Sequence, residues 1–257
     1  MDYFIICLAA LIGSGLTLFS GFGLGTILVP VFALFFPIEI AIALTAIVHF
    51  LNNLFKIVLL GRYADVKVVL LFGLPALVAA FAGAKLLVLF ADMPALHEYM
   101  LSGKTFRIMP VKLLIAALMI IFSVLELMPR FSKISFHRRY LPLGGIISGF
   151  FGGLSGHQGA LRSMFLLKAG LSKEAYIATG VLIAVLIDMS RLTVYAGIFK
   201  SMGRELSYPL LIAATLSAFA GAYIGNRLVK KITIETLHII VAVMLLAIAV
   251  LLGMGII

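Results

Sequence analysis

Residues 141–169 read LPLGGIISGFFGGLSGHQGALRSMFLLKA. The run has no acidic residue and only Arg162 as a cation before Lys168. It is apolar enough for a bilayer, yet at about 30 residues it exceeds the roughly 20 that cross one as a single helix. Its middle, Gly152-Gly153-Leu154-Ser155-Gly156-His157-Gln158-Gly159, interrupts any regular helix. Backbone that leaves the helix at membrane depth must satisfy its N–H and C=O groups against protein or an aqueous cavity. The stretch is therefore expected to go in and come back as a hairpin of two short helices.

One other stretch has this form. Residues 3–36 are equally long and break at Ser20-Gly21-Phe22-Gly23-Leu24-Gly25. Six further apolar stretches, at about 38–60, 68–90, 108–128, 175–199, 207–226 and 236–257, bring the number to eight. Composition agrees: 63% of the 257 residues are hydrophobic and 12% charged, with no Trp, which excludes a soluble enzyme or a disordered chain. The uninterrupted apolar runs also exclude the alternation of a transmembrane β-barrel. Cys7 is the single cysteine, so neither an internal disulfide nor a spaced metal set is expected, and no cofactor is called for. The N-terminus reads Met1, Asp2, Tyr3 and then an apolar run with no preceding Lys or Arg. The first stretch is thus expected to stay as a span rather than leave as a signal peptide.

The two halves repeat one another. At an offset of 135, Ser20-Gly21 falls on Ser155-Gly156, Glu39 on Glu174, Asn53 on Asp188 and Lys56 on Arg191. At an offset of 138, Ala80-Phe81-Ala82-Gly83-Ala84 meets the same pentapeptide at Ala218-Phe219-Ala220-Gly221-Ala222. Small residues suit close helix packing, but recurrence at the matching place implies duplication. The expected organisation is a first repeat over 1–128, a basic linker over 129–140 and a second repeat over 141–257, forming one integral membrane domain.

Charge parity then sets the topology. The net charge of +10 concentrates in 129–140 (Arg130, Lys133, Arg138, Arg139) and 227–235 (Arg227, Lys230, Lys231), and both loops should face the cytoplasm. An odd number of simple crossings would separate them; a hairpin in 141–169 removes the conflict. Treating 3–36 alike leaves eleven basic residues inside, adding Arg62, Lys67, Lys168 and Lys173, against Lys104, Arg107, Lys200 and Arg204 outside. Both termini are then outside, and each half has five segments of opposite orientation. The expected fold is an all-α polytopic membrane protein with an inverted repeat, its first and fifth stretches broken into helical hairpins.

Substrate sites in such repeats lie where discontinuous helices leave N-terminal dipole ends and free amides facing inward. Each break here is followed by a helix, and amide-rich turns of that kind bind anions. The candidate substrate-binding residues are Ser20, Gly21, Gly23 and Gly25 with Ser155, Gly156, His157, Gln158, Gly159 and Arg162. Arg162 stands out because a cation in the first turn of a helix opposes the dipole unless something negative binds. Arg191 lies one turn from Asp188, so an intrahelical pair accounts for it without ligand. His49, Asn53, Asp188 and Arg191 are candidates for coupling or gating, although interhelical hydrogen bonding explains each equally. Lys56, Lys85 and Lys112 lie near span ends and are expected to snorkel. Glu39 and Glu174 are expected at helix starts.

With Gly13-Ser14-Gly15, Ser20-Gly21-Phe22-Gly23-Leu24-Gly25 and Pro30, and a second glycine-rich copy from Gly144-Gly145 to Gly159, the chain resembles the TauE/SafE sulfite exporter family, the TSUP transporters. The resemblance spans nearly the whole chain. It implies a multi-pass inner-membrane secondary transporter, an exporter of sulfur-containing anions such as sulfite or organosulfonates. It also implies binding around Gly21, Gly23 and Gly25 and around Gly153, Gly156 and Gly159. His157, Gln158 and Arg162 depart from the small-residue pattern of the second copy, which leaves the substrate open and an anion plausible. The expected partners are a small anion and the lipid bilayer, with a homodimer as one option and no nucleic acid. An anion channel of the same architecture is the near alternative. A rhomboid-like intramembrane serine protease is the distant one: Gly153-Leu154-Ser155-Gly156 with Ala160 fits its motif, and His238 could be offered as base. The duplicated Ser-Gly pair and the rim position of His238 argue against it.

Overall fold

The computed structural model describes residues 2–20, 23–101, 103–128, 134–202, 207–228 and 234–257. The expected break residue Gly21 and the loop cations Arg130, Lys133, Arg204, Lys230 and Lys231 lie outside these, as do the side chains of Ser20, Arg227 and His238.

The chain is an all-α multi-pass membrane protein. Among the described residues there are ten α-helices: α1 Asp2–Ser20, α2 Leu24–Ala33, α3 Ile38–Leu60, α4 Val66–Ala91, α5 Pro110–Leu127, α6 Leu141–Ser155, α7 Gly159–Leu166, α8 Lys173–Met202, α9 Tyr208–Leu228 and α10 Ile234–Gly253. Helices α3, α4, α8 and α9 are long and apolar enough to cross a bilayer, and shorter apolar helices accompany them, of which α2 is buried along its whole length. Helix starts follow local chemistry. Asp65 caps α4 by accepting from Val68 N at 3.0 Å, and Pro110 opens α5 where its missing N–H costs nothing. Glu39 and Glu174 sit in the first turns of α3 and α8, where a carboxylate suits the dipole.

The connection between α4 and α5, read from sequence only as a loop, contains an antiparallel hairpin of β1 His97–Leu101 and β2 Lys104–Ile108. Stacked Tyr99 and Phe106 and the Glu98–Arg107 ion pair hold it, and Tyr99 Oη donates to the Met254 carbonyl beside the C-terminus at 2.6 Å. Two five-residue strands, exposed at most positions, were too short a signal to separate from a polar turn.

Packing pairs α1 with α9, α4 with α6, α3 with α8 and α5 with α10. The α4–α6 seam is backbone against backbone. A Cβ at Gly145, Gly149 or Gly153 would meet the carbonyls of Phe72, Ala76 or Ala80, and one at Gly83 the carbonyl of Phe150. At the α1–α9 seam, a Cβ at Gly221 would meet the carbonyl of Leu11 and one at Gly225 that of Gly15. Lipid-immersed helices associate through such van der Waals contact rather than hydrophobic driving force. The repeated pentapeptide thus places Gly83 and Gly221 in the same job, each on a long helix pressed against a broken one.

Hydrogen bonds group the loops by end. Tyr3 Oη and Ser207 Oγ lie 2.6 Å apart at the end that also carries the β hairpin and the C-terminus. At the other end Asp65 N donates to Thr179 Oγ1 (2.9 Å) and Phe136 N to the Met164 carbonyl (3.0 Å). The second bond shows that α7 returns to the end where α6 starts, and Gly144 of α6 packs against the Phe165 ring of α7.

Candidate functional site

The two breaks meet inside the bundle. A Cβ at Gly25 would lie 3.1 Å from the Gly156 carbonyl, and one at Gly23 about 4.0 Å from Gly159 N. Gly156 closes α6 in the left-handed conformation (φ 81°), which glycine adopts without strain.

At this depth every freed carbonyl needs a donor. The Gly152 carbonyl accepts from Gly156 N at 3.1 Å and from Arg191 Nη1 at 3.3 Å, and the Gly153 carbonyl accepts from Tyr195 Oη. The Gly156 carbonyl takes Gln158 N at 3.1 Å, and the Gln158 carbonyl takes Ser148 Oγ at 3.0 Å. Helix α8 therefore supports the end of α6 with a cation and a hydroxyl, and the cation also suits the negative end of the α6 dipole.

Arg191 is held by Asp188 through Nε (3.0 Å) and Nη2 (2.7 Å), the pair one turn apart and fully buried. His49 Nδ1 donates to the other oxygen of Asp188 at 2.5 Å, linking α3 to α8. Gln158 Nε2 approaches Asp188 at a long 3.4 Å, and Asn53 Nδ2 lies 3.4 Å from His49 Nε2. The four residues singled out for coupling thus form one connected network, centred on Asp188.

Beside that network lies a cavity of about 40 Å³, lined among others by Thr17, Gly23, His49, Asn53, Lys56, Arg162, Tyr176 and Gly180. It runs from the breaks toward the bundle end that carries Asp65 and Thr179, since Lys56 and Tyr176 lie near that end of α3 and α8. Its described lining contains no carboxylate. Arg162 is 8% exposed, and its Nη1 has no hydrogen-bond partner among the described residues. A buried guanidinium nitrogen left unpaired is costly, which is a reason to expect a ligand there.

The structure keeps Ser155 and His157 together, with His157 Nδ1 3.2 Å from Ser155 Oγ, but separates both from Arg162. Arg162 faces the cavity, whereas Ser155 Oγ donates to the Phe151 carbonyl at 3.1 Å. The His157 ring stacks on Phe122 of α5 (centroids 5.3 Å, 4° between planes) and its Nδ1 donates to the Ser155 carbonyl at 3.1 Å. Lys56 was missed. It does not snorkel: it is 5% exposed and lines the cavity, while Lys85 is exposed over the Phe81 ring. Its placement one turn from Asn53, at the position matching Arg191, was the available signal.

Among the described residues no group of three or more His, Cys, Asp or Glu side chains could hold a metal ion. No curated protein matches the chain. The profile of the sulfite exporter TauE/SafE family matches residues 5–252, so nearly the whole chain is covered and the protein belongs to that family of membrane transporters.

Proposed function

We propose that the protein is a gradient-driven carrier that exports small sulfur-containing anions such as sulfite, binding them in the cavity beside the two glycine breaks. The observation that carries this reading is the buried Nη1 of Arg162, without a partner among the described residues, in a cavity whose described lining has no carboxylate. A guanidinium offers paired donors to an oxyanion, and an ionised sulfite or sulfonate group presents only acceptors. The cavity-lining Gly23 leaves room for close approach, and the Gly159 amide that opens α7 lies about 4.0 Å from where a Cβ on Gly23 would stand, a further donor near the cavity.

The carrier mechanism rests on an inverted repeat of α1–α5 and α6–α10. Its support is the exchange in packing, α1 with α9 and α4 with α6, while α3 and α5 pair with their own counterparts. Rocking one repeat against the other around a fixed site would expose it alternately to each side. The end bearing Arg62, Lys67, Arg138, Arg139, Lys168 and Lys173 is assigned to the cytoplasm, and both termini to the opposite face of the inner membrane.

Uptake of radiolabelled sulfite into proteoliposomes tests this. A carrier should show saturable uptake, accelerated by unlabelled sulfite inside, and Arg162→Gln should lower affinity by about 10- to 100-fold. Equal affinity in the variant would remove Arg162 from the site, and absence of acceleration with undiminished flux would make the protein a channel. For sidedness, cysteines at Thr105 and Ser135 should label from outside only at the first; label at Ser135 alone would reverse the orientation.

A further inference from the structure

The cavity holds a second cation whose lack of a counter-ion has a traceable origin. In the second repeat Asp188 and Arg191 form a closed ion pair within α8. At the matching positions of the first repeat stand Asn53 and Lys56, with the same three-residue spacing on α3. Asparagine keeps the shape of the carboxylate but not its charge, so α3 offers Lys56 no partner of the kind α8 offers Arg191. Among the described residues no carboxylate lies within ion-pair distance of Lys56. A hydrogen-bond partner within its reach is neutral: with the Asn52 amide turned so that its nitrogen meets the Ala218 carbonyl at 3.1 Å, its oxygen faces Lys56 Nζ at 3.2 Å.

Lys56 and Arg162 therefore line one cavity from α3 and α7. The other polar side chains lining it are Thr17 on α1, His49 and Asn53 on α3 and Tyr176 on α8. Asp188 is the nearby carboxylate, and it is already shared between Arg191 and His49. Counting Arg191 and Asp188 as a neutral pair leaves two positive charges. A single negative charge would leave the repulsion of the second buried cation uncompensated, whereas two would balance the site.

Resting on the reading of this cavity as an anion site, we propose that Lys56, freed from an internal counter-ion by Asn53, is a specificity-determining residue that makes the bound form a doubly charged oxyanion. Sulfite in its fully ionised state fits; a sulfonate, with one charge, fits less well.

Competition against radiolabelled sulfite on the purified protein, using fixed-charge oxyanions at one neutral pH, reads this directly. Sulfate and thiosulfate carry two charges and methanesulfonate one. In the wild type at least one of the two dianions should displace sulfite about tenfold more strongly than methanesulfonate, the worth of one charge-assisted contact. Lys56→Gln removes the second cation. Asn53→Asp instead supplies it with the partner that Asp188 gives Arg191, a residue pair the fold already accommodates in α8. Both should bring the ratio to within about threefold by weakening the dianions, with methanesulfonate, held by Arg162, changed little. Methanesulfonate competing as well as both dianions in the wild type would overturn the proposal while leaving the anion site intact. An unchanged ratio in both variants would also overturn it. Failure of the wild type to bind sulfite at all would overturn the anion site itself.

Discussion

Helices α3 and α8 pack against each other, and their residues 135 apart in sequence stand in opposite surroundings. In α8, Asp188 and Arg191 neutralise each other, and the surplus valence of Arg191 goes into the Gly152 carbonyl at the end of α6. In α3, Asn53 and Lys56 stand at those positions, and Lys56 faces the cavity instead. The breaks differ in the same sense. The first is Ser20 to Gly25, small residues and Phe22 with no charge, whereas the second continues into Gln158 and Arg162. On the proposed inverted repeat, the α8 pair is closed as a strut while the corresponding α3 positions open onto the cavity.

Breaking the strut should give the largest effect. Asp188→Ala leaves Arg191 without its carboxylate and His49 without its acceptor, and removal of one member of a buried pair costs about 3–5 kcal/mol. Asn53→Ala deletes only the contact to His49 and should cost about 1 kcal/mol. Unfolding of the purified protein in detergent ranks the two. Equal stability loss would mean that the two helices share the structural load, and the contrast between strut and site would fail.

The helix seams, by contrast, should behave alike. Gly149→Leu forces a side chain into the Ala76 backbone, and Gly221→Leu does the same against Leu11. Overpacking of this kind costs about 1–3 kcal/mol each. A loss at one seam with none at the other, in the same unfolding measurement, would show that the halves differ in scaffold as well as in charge.

Much of this arrangement can be read from the residues alone because it rests on long-range regularities. The length of 141–169 against bilayer thickness, the glycine interruption and the 135-residue correspondence are properties of the chain that survive folding. The Asp188–Arg191 pair was legible for the same reason, since three-residue spacing on a helix brings side chains together. What sequence could not resolve was direction. Lys56 is four residues from the end of α3, close enough to reach the surface, and only the packing of α8 across it decides that it stays inside. His157, Gln158 and Arg162 are neighbours in sequence, but Gly156 in the left-handed conformation turns the chain, sending His157 to α5 and Arg162 to the cavity. A cluster in sequence becomes a cluster in space only when the backbone between its members is regular.

His157 supplies the smallest expected effect and the finest test of that difference. Its ring lies flat on Phe122, its Nδ1 lies within hydrogen-bond distance of both the Ser155 carbonyl (3.1 Å) and Ser155 Oγ (3.2 Å), and its Nε2 has no partner among the described residues. Phenylalanine at this position keeps the stack and removes a buried unpaired nitrogen, a gain that offsets the lost hydrogen bond of about 1 kcal/mol. His157→Phe should therefore unfold within about 1 kcal/mol of the wild type and bind sulfite within about twofold. The carbonyls of the break are held by Arg191, Tyr195 and Ser148 rather than by this ring. A tenfold loss of affinity in a variant of unchanged stability would place the imidazole against the anion at another stage of transport. The second break would then act as one donor cluster, as its residues suggest when read in a line.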